Sequence, residues 1–333
     1  MSAIKSFFEL IKERNEILWA PCIYDCISAK CAEAVGFEAV TISSMEQTMS
    51  LTGVPLGMMS FDEMLFSAER IAKSTTMAVL ADTEDGGPTP MDVYRNIKRF
   101  AEAGIMAVSI EDTDCRKLGN KPMADQMFLP AEHWAANVAA AVEAVKGTDC
   151  MVIARTDCKG GGSKKFAKGY FGVNPEEFLG LEEAIRRAQL GMKMGAHMTM
   201  IQNIDVYTAR NEWLEISKRV PGWMCYPDLH ADDGISDVED VKELYDLGFQ
   251  MVTCHCFAKG AVAGMLKYGN HVIKDRNTIF TENDDSLGAD PKQVAHVYRR
   301  GDCEKHPFEL VGEKLAEKYE SSFNFKASNE RVR

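Results

Sequence analysis

The chain has 333 residues, 46% of them hydrophobic, with a net formal charge of −12 and a pI of about 5.2. That acidity excludes nucleic acid and anionic membranes as general partners, because both select basic patches. No apolar run nears the roughly 18 residues of a membrane span, and ten scattered cysteines without a CxxC pair fit a reduced, cytoplasmic setting.

The first residues, MSAIKSFFELIKERNEILWA, read as a charged amphipathic helix. They lack the apolar block and small-residue cleavage site of a secretory signal. Short apolar runs then alternate with helical patterns. The runs predict strands at Ile17–Pro21, Ala39–Ile42, Met77–Ala81, Ala107–Ile110, Met151–Ala154, Met198–Ile201, Trp223–Tyr226 and Met251–Cys254. Each is apolar throughout, as strands covered on both faces are.

The intervening patterns predict helices over Ser28–Val35, Asp92–Ala103, Leu181–Met194 and Asp237–Leu247, each followed by glycine, a good helix stop. The phrase of helix, glycine and apolar strand recurs in VGFEAVTI, AGIMAVSI, MGAHMTMI and LGFQMVTC. Eight such strands predict a (β/α)8 TIM-type barrel, with a doubly wound sheet as the alternative. The barrel is expected to occupy the chain as a single domain, with a helical extension from about residue 285.

Barrel active sites lie at the C-terminal ends of the strands. Polar residues follow every strand here: Tyr24-Asp25, Ser43-Ser44, Asp82 and Glu84, Glu111-Asp112, Arg155 and Asp157, Gln202-Asn203, Asp228, and His255. In VLADTEDGGP, Asp82 and Glu84 stand two apart and face the same way if the strand stays extended. Glu111 arrives from the next strand. Crowded carboxylates repel unless a cation joins them, and oxygen-only donors favour Mg²⁺ or Mn²⁺. The alternative is a set of helix caps and surface acids. Cys254-His255-Cys256 hints at a metal, but alternation along an extended strand sends neighbours to opposite faces.

In order along the chain, Tyr24-Asp25 with Ser28-Ala29, Thr41-Ile42-Ser43-Ser44, LADTEDGG, SIEDTDCRKLG and IARTD resemble the successive motifs of the isocitrate lyase/phosphoenolpyruvate mutase superfamily. The resemblance runs from about Trp19 to about Gly264. It implies an α/β barrel, a homo-oligomer (usually a tetramer) with terminal helices swapped between subunits, Mg²⁺, and an enolate-like intermediate of a small anionic carboxylate.

Carried over by residue, it implies Asp82, Glu84 and Glu111 as metal-binding residues and Arg155, Lys117 and Glu111 as catalytic. It implies Tyr24, Asp25, Ser43, Ser44, Asn120, Gln202 and His255 around the substrate. The tail from Pro291 onward fits the swapped helices.

The chain departs from the family pattern at four places. Glu84 stands where an aspartate is usual. Gly119 stands where the lyases carry a gating-loop cysteine, with Cys115 nearby but out of register. Pro55 stands where an acid usually follows the second strand. Gln202 stands where phosphonate enzymes have histidine and lyases glutamate.

A long connection after ARTD carries Lys159, Lys164, Lys165 and Lys168, and is expected to form a basic lid over an anionic substrate. His255 and His230 are candidate rim histidines. The leading expectation is a Mg²⁺-dependent lyase that cleaves a C–C bond of a 2-hydroxy or 2-oxo carboxylate. Phosphonate P–C chemistry is the first alternative, and a non-catalytic carboxylate-binding barrel is the second.

Overall fold

A computed structural model describes residues 4–53, 59–113, 128–159, 178–202, 209–227, 241–279 and 290–298. The strands are β1 Leu18–Trp19, β2 Cys22–Ile23, β3 Ala39–Ile42, β4 Ala78–Asp82, β5 Ala107–Ile110, β6 Met151–Thr156, β7 Met198–Ile201, β8 Trp223–Tyr226 and β9 Phe249–Val252. All pair in parallel, in the order β1-β9-β8-β7-β6-β5-β4-β3-β2.

The expected first strand is split. Leu18–Trp19 pairs with β9, whereas Cys22–Ile23 pairs with β3. Pro21 has no N–H to give, and its carbonyl accepts from Thr41 N. This one segment therefore bonds both edges of the sheet and closes it into a barrel. An α/β barrel with a helix before nearly every strand is the architecture expected from the glycine-punctuated repeats.

The helices are α1 Phe7–Lys12, α2 Cys26–Val35, α3 Ser44–Thr52, α4 Phe61–Ser74, α5 Pro90–Glu102, α6 Ala131–Ala144, α7 Gly180–Lys193, α8 Ala209–Arg219, α9 Lys242–Asp246, α10 Cys256–Asp275 and α11 Pro291–Tyr298. Their starts are written locally. Ser6 and Glu9 form a capping box on α1, Asp25 and Ser28 do so on α2, and Ser60 and Glu63 on α4. Residues 1–266 form one compact unit and 267–333 a second. No helix among the described residues is long and apolar enough to cross a membrane.

Alternation along the strands sorts the core. Leu18, Ala39, Ala78, Leu80, Ala107, Met151, Ile153, Met198, Met200 and Met251 cluster inside the barrel, with Phe7, Leu10 and Ile11 of α1 packed against them. Their neighbours in sequence, such as Val40, Val79, Val108 and Val152, pack outward against the helices. Continued by two residues at a time, the interior rows reach Asp82, Glu111, Arg155 and Gln202 at the C-terminal rim.

One helix fit bears on that rim. A Cβ on Gly191 would lie 2.5 Å from the Ala154 Cβ, so only glycine lets α7 lie this close to β6 beside Arg155.

Candidate active site

Arg155 is the centre of the rim. Its Nη1 donates to Asp82 Oδ2 at 2.8 Å. Its Nε and Nη2 form a fork on Asp157, at 2.8 and 2.7 Å. Nη2 also lies 3.0 Å from Glu111 Oε2. Burial opposes the guanidinium charge, but Asp157, Glu111 and Asp82 more than offset it and hold its pKa well above the ordinary value.

Asp82 is held from two further sides. Ser44 Oγ donates to Oδ2 and Ser109 Oγ to Oδ1, both at 3.0 Å. Register explains the second contact, since Asp82 and Ser109 are direct partners across β4 and β5. Glu111 is buried and accepts from the Thr113 hydroxyl. Burial pushes its carboxyl well above the usual range; Arg155 pulls it back, while Glu84, Asp157 and Asp82 push the same way as burial.

The turn after β4 does not stay extended. Glu84 has a φ of 53°, so the strand geometry that would align it with Asp82 ends at Asp82. Its carbonyl accepts from Glu111 N at 2.9 Å, and its charge is felt at Glu111. Non-glycine residues enter this left-handed region at a cost of about 1–2 kcal/mol, and such outliers gather at functional sites. Gly86 and Gly87 follow with φ of 76° and 138°. A Cβ on Gly87 would lie 2.9 Å from Asp92 Cβ, so the turn can fold this tightly only without side chains there.

Asp82, Glu111 and Asp157 face a single guanidinium, the charge of Glu84 acts on Glu111, and all four offer hard oxygen donors. This donor chemistry fits a divalent cation such as Mg²⁺. Among the described residues no three such groups already surround a common point; Arg155 holds the oxygens instead.

The other expected site residues divide. Ser43 caps α3 through Glu46 N, and Ser44 begins that helix against Asp82. Asp25 caps α2, accepting from Ser28 N at 2.7 Å and from Ser28 Oγ at 2.8 Å. Tyr24, whose backbone N also bonds Ser28, has its phenol pKa raised first by burial and then by Asp25 and Glu46. Gln202 is buried at the rim, with its N–H on the Thr156 carbonyl. Lys117, Asn120, Gly119, Cys115, Pro55, His230 and residues 160–177 of the long connection lie outside the described residues.

Two expectations are corrected. Lys159 is not part of an exposed basic lid: it is buried and ion-paired with Glu212 at 2.8 Å. The strand alternation expected to set His255 opposite its two cysteine neighbours does not reach them. Strand β9 ends at Val252, two residues before the expected end, so alternation no longer applies and the sulfurs lie 3.7 Å apart.

Glu46 was not singled out in the sequence. It is buried, and its Oε1 lies 2.7 Å from His255 Nδ1, joining the end of β9 to the first turn of α3. Glu46 Oε2 has no hydrogen-bond partner among the described residues. The signal available was an acid one turn into the helix that follows Ser43-Ser44, but nothing local names its partner.

The family model described as Phosphoenolpyruvate phosphomutase matches residues 7–269. The chain belongs to the phosphoenolpyruvate mutase/isocitrate lyase superfamily. Among curated members, it is 29% identical over 249 residues to carboxyvinyl-carboxyphosphonate phosphorylmutase of Arabidopsis thaliana, covering 74% of this chain and 67% of that one. It is 24% identical over 314 residues to 2,3-dimethylmalate lyase of Eubacterium barkeri, covering 90% of this chain and 100% of that one. A solved phosphonopyruvate hydrolase, in complex with oxalate and Mg²⁺, superposes with a TM-score of 0.66 at 21% identity, covering 95% and 97% of the two chains. Named superfamily members thus include lyases, mutases and hydrolases, and this chain is an enzyme of that superfamily.

Proposed function

We propose that the protein is a divalent-metal-dependent lyase. It cleaves a C–C bond of a small 2-hydroxy or 2-oxo carboxylate through an enolate, in a site assembled on Arg155. The observation that carries this reading is the guanidinium fixed by Asp82, Glu111 and Asp157 at the end of the barrel strands. Such a fixed charge is worth most where negative charge develops in the reaction.

Asp82, Glu84 and Glu111 are the residues that would hold Mg²⁺ or Mn²⁺. Bound there, the ion would supply Lewis-acid polarisation of the substrate oxygen. The rest of the reaction falls to the chain. Arg155 orients a substrate carboxylate by paired hydrogen bonds and stabilises the enolate that the broken C–C bond leaves behind. Ser43 and Ser44, at the positive start of α3, face the anion with donors. Glu111, its carboxyl pushed up by burial and in contact with Arg155, is the carboxyl group of the chain placed to act beside that guanidinium. The relatives' lyase and phosphonate activities both pass to this chain only as substrate classes to test.

We also propose a homo-oligomer, a tetramer by analogy with the family. Helix α10 buries none of its described side chains, and Met265 and Leu266 are exposed on it. A cytoplasmic location agrees with the scattered free cysteines.

The test is a substrate screen by ¹H and ³¹P NMR with substituted malates, oxaloacetate-type 2-oxo acids and phosphonopyruvate, with Mg²⁺ or with a chelator. Cleavage of a C–C bond that the chelator abolishes is the expected result. Turnover of phosphonopyruvate alone would assign P–C chemistry instead, and turnover of none would remove the lyase reading.

A further inference from the structure

The end of β9 carries a feature that the enolate site does not use. Cys254 Sγ points at Cys256 Sγ across 3.7 Å, with Cys254 as the hydrogen-bond donor. Cys256 is exposed, and Cys254 is half-buried. Cys256 is also the first residue of α10, a helix of 20 residues whose N-terminal end favours an anion. The arrangement has the two parts that peroxide-sensing thiols need: an accessible thiolate and a second thiol within reach.

The electrostatics of the pair separate the two roles. The hydrogen bond from Cys254 lowers the Cys256 thiol to about 7, against the opposing effects of burial and Glu46. The same contact, with burial and the neighbouring Cys22, pushes Cys254 upward. Cys256 is thus the sulfur that loses its proton more readily, and Cys254 the thiol that donates to it. Glu46 is the carboxylate that faces the pair, and it is itself engaged with His255.

We propose that Cys254 and Cys256 are a modification site: they form a reversible intrachain disulfide, with a peroxide as oxidant. The Cys256 thiolate attacks a peroxide oxygen, the O–O bond breaks, and hydroxide leaves to become water. Cys256 is then a sulfenic acid. Cys254 attacks that sulfur, the S–S bond forms, and a second water leaves with the Cys254 proton. Two thiols have lost two electrons and two protons, and one peroxide has become two waters.

Closure requires the sulfurs to move from 3.7 Å to about 2.05 Å apart. With one residue between the cysteines the ring is small, so the bond is strained and readily reduced, as regulatory disulfides are. The intervening residue is His255, so ring closure acts directly on the side chain that Glu46 holds. The proposal does not depend on which substrate the barrel takes.

Trypsin isolates the pair, because residues 243–259 form one peptide with Cys254 and Cys256 as its only cysteines. The full-length protein is treated with equimolar hydrogen peroxide, its remaining thiols are alkylated, and the peptide is weighed. The expected result is a peptide lighter by two hydrogens and unalkylated, restored to two alkylated cysteines by dithiothreitol. In Cys254→Ser, Cys256 is expected to stop at a sulfenic acid that dimedone traps. Full alkylation of both cysteines after peroxide, over-oxidation of Cys256 without a ring, or a link from Cys254 to the peptide carrying Cys22 would each overturn the proposal.

Discussion

Two arginine–carboxylate clusters stand side by side in this barrel, and they share almost the same residue types. Arg155 meets Asp82, Glu111 and Asp157 at the rim. Arg187, on α7, meets Asp112 at 3.1 Å and Glu183 at 3.0 Å behind the sheet. The clusters are linked: Thr156 Oγ1 and Asp157 N both donate to Asp112, at 2.5 and 2.8 Å. Alternation decides which cluster each residue joins. Glu111 and Asp112 are neighbours, as are Arg155 and Thr156, and each pair splits between the barrel interior and the helix layer.

The difference lies in how the charges close. Behind the sheet, Arg187 is satisfied by two carboxylates and by the Leu129 carbonyl, and Asp112 is fully buried. Burial, then the charge of Asp157, raises Asp112 to about 6, against Thr156, the Asp157 N–H and Arg187. With Arg187 and Asp112 both buried, that cluster fastens α7 to the ends of β5 and β6. At the rim, carboxylates outnumber the guanidinium, Glu84 is held in a strained conformation, and Arg155 retains 17% side-chain exposure. Surplus charge with access to solvent is what separates a site from a fastener.

Exchanging the two arginines in turn is the strongest way to break this comparison. Arg155→Ala is expected to lower kcat/KM by about 10²–10³-fold, the usual loss when one donor to developing negative charge is removed. Steady-state kinetics on whichever substrate the screen identifies checks this, and a loss under tenfold would contradict it. Arg187→Ala is expected to cost about 3–5 kcal/mol of stability, because it leaves buried Asp112 without its ion partner. Urea unfolding measures this, and turnover per folded molecule should stay close to that of the parent. Removing Arg155 also frees carboxylates, but Mg²⁺ should restore part of that stability, and it should restore none in Arg187→Ala.

A smaller effect sharpens the account of the turn. Glu84→Gly releases a left-handed side-chain residue, so stability is expected to rise by about 1 kcal/mol while activity falls. A drop in both would mean that Glu84 holds the turn in shape instead of loading it. Ser44→Ala should have the least effect on the fold, about 1 kcal/mol from the lost hydrogen bond to Asp82, read by thermal unfolding.

Much of the barrel was legible because its signals are local. Glycine after a helix, and apolar runs covered on both faces, placed the strands within one or two residues of where they lie. The interruption at Ala20-Pro21 was missed, because it comes from one segment serving both edges of a closed sheet, and that is a property of closure. Asp82 and Arg155 were visible as charged residues ending apolar strands. The direction of Glu84 was not, since extended geometry stops one residue too early for alternation to carry across.

Long-range partners were invisible. Arg187 reaches Asp112 across 75 positions, and Glu46 meets His255 across 209. Both partners of each pair look ordinary where they stand in the chain. The setting of Cys254-His255-Cys256 was read wrongly for the same reason as Glu84: a strand rule was applied past the end of the strand.

The most direct measurement is thermal unfolding with oxalate, an enolate mimic, in the presence and absence of Mg²⁺. The account predicts a rise in Tm that needs both together and is lost in Asp82→Ala and Arg155→Ala. No rise at saturating oxalate and Mg²⁺, or a rise that survives both substitutions, would contradict a rim built to hold an enolate beside a divalent cation.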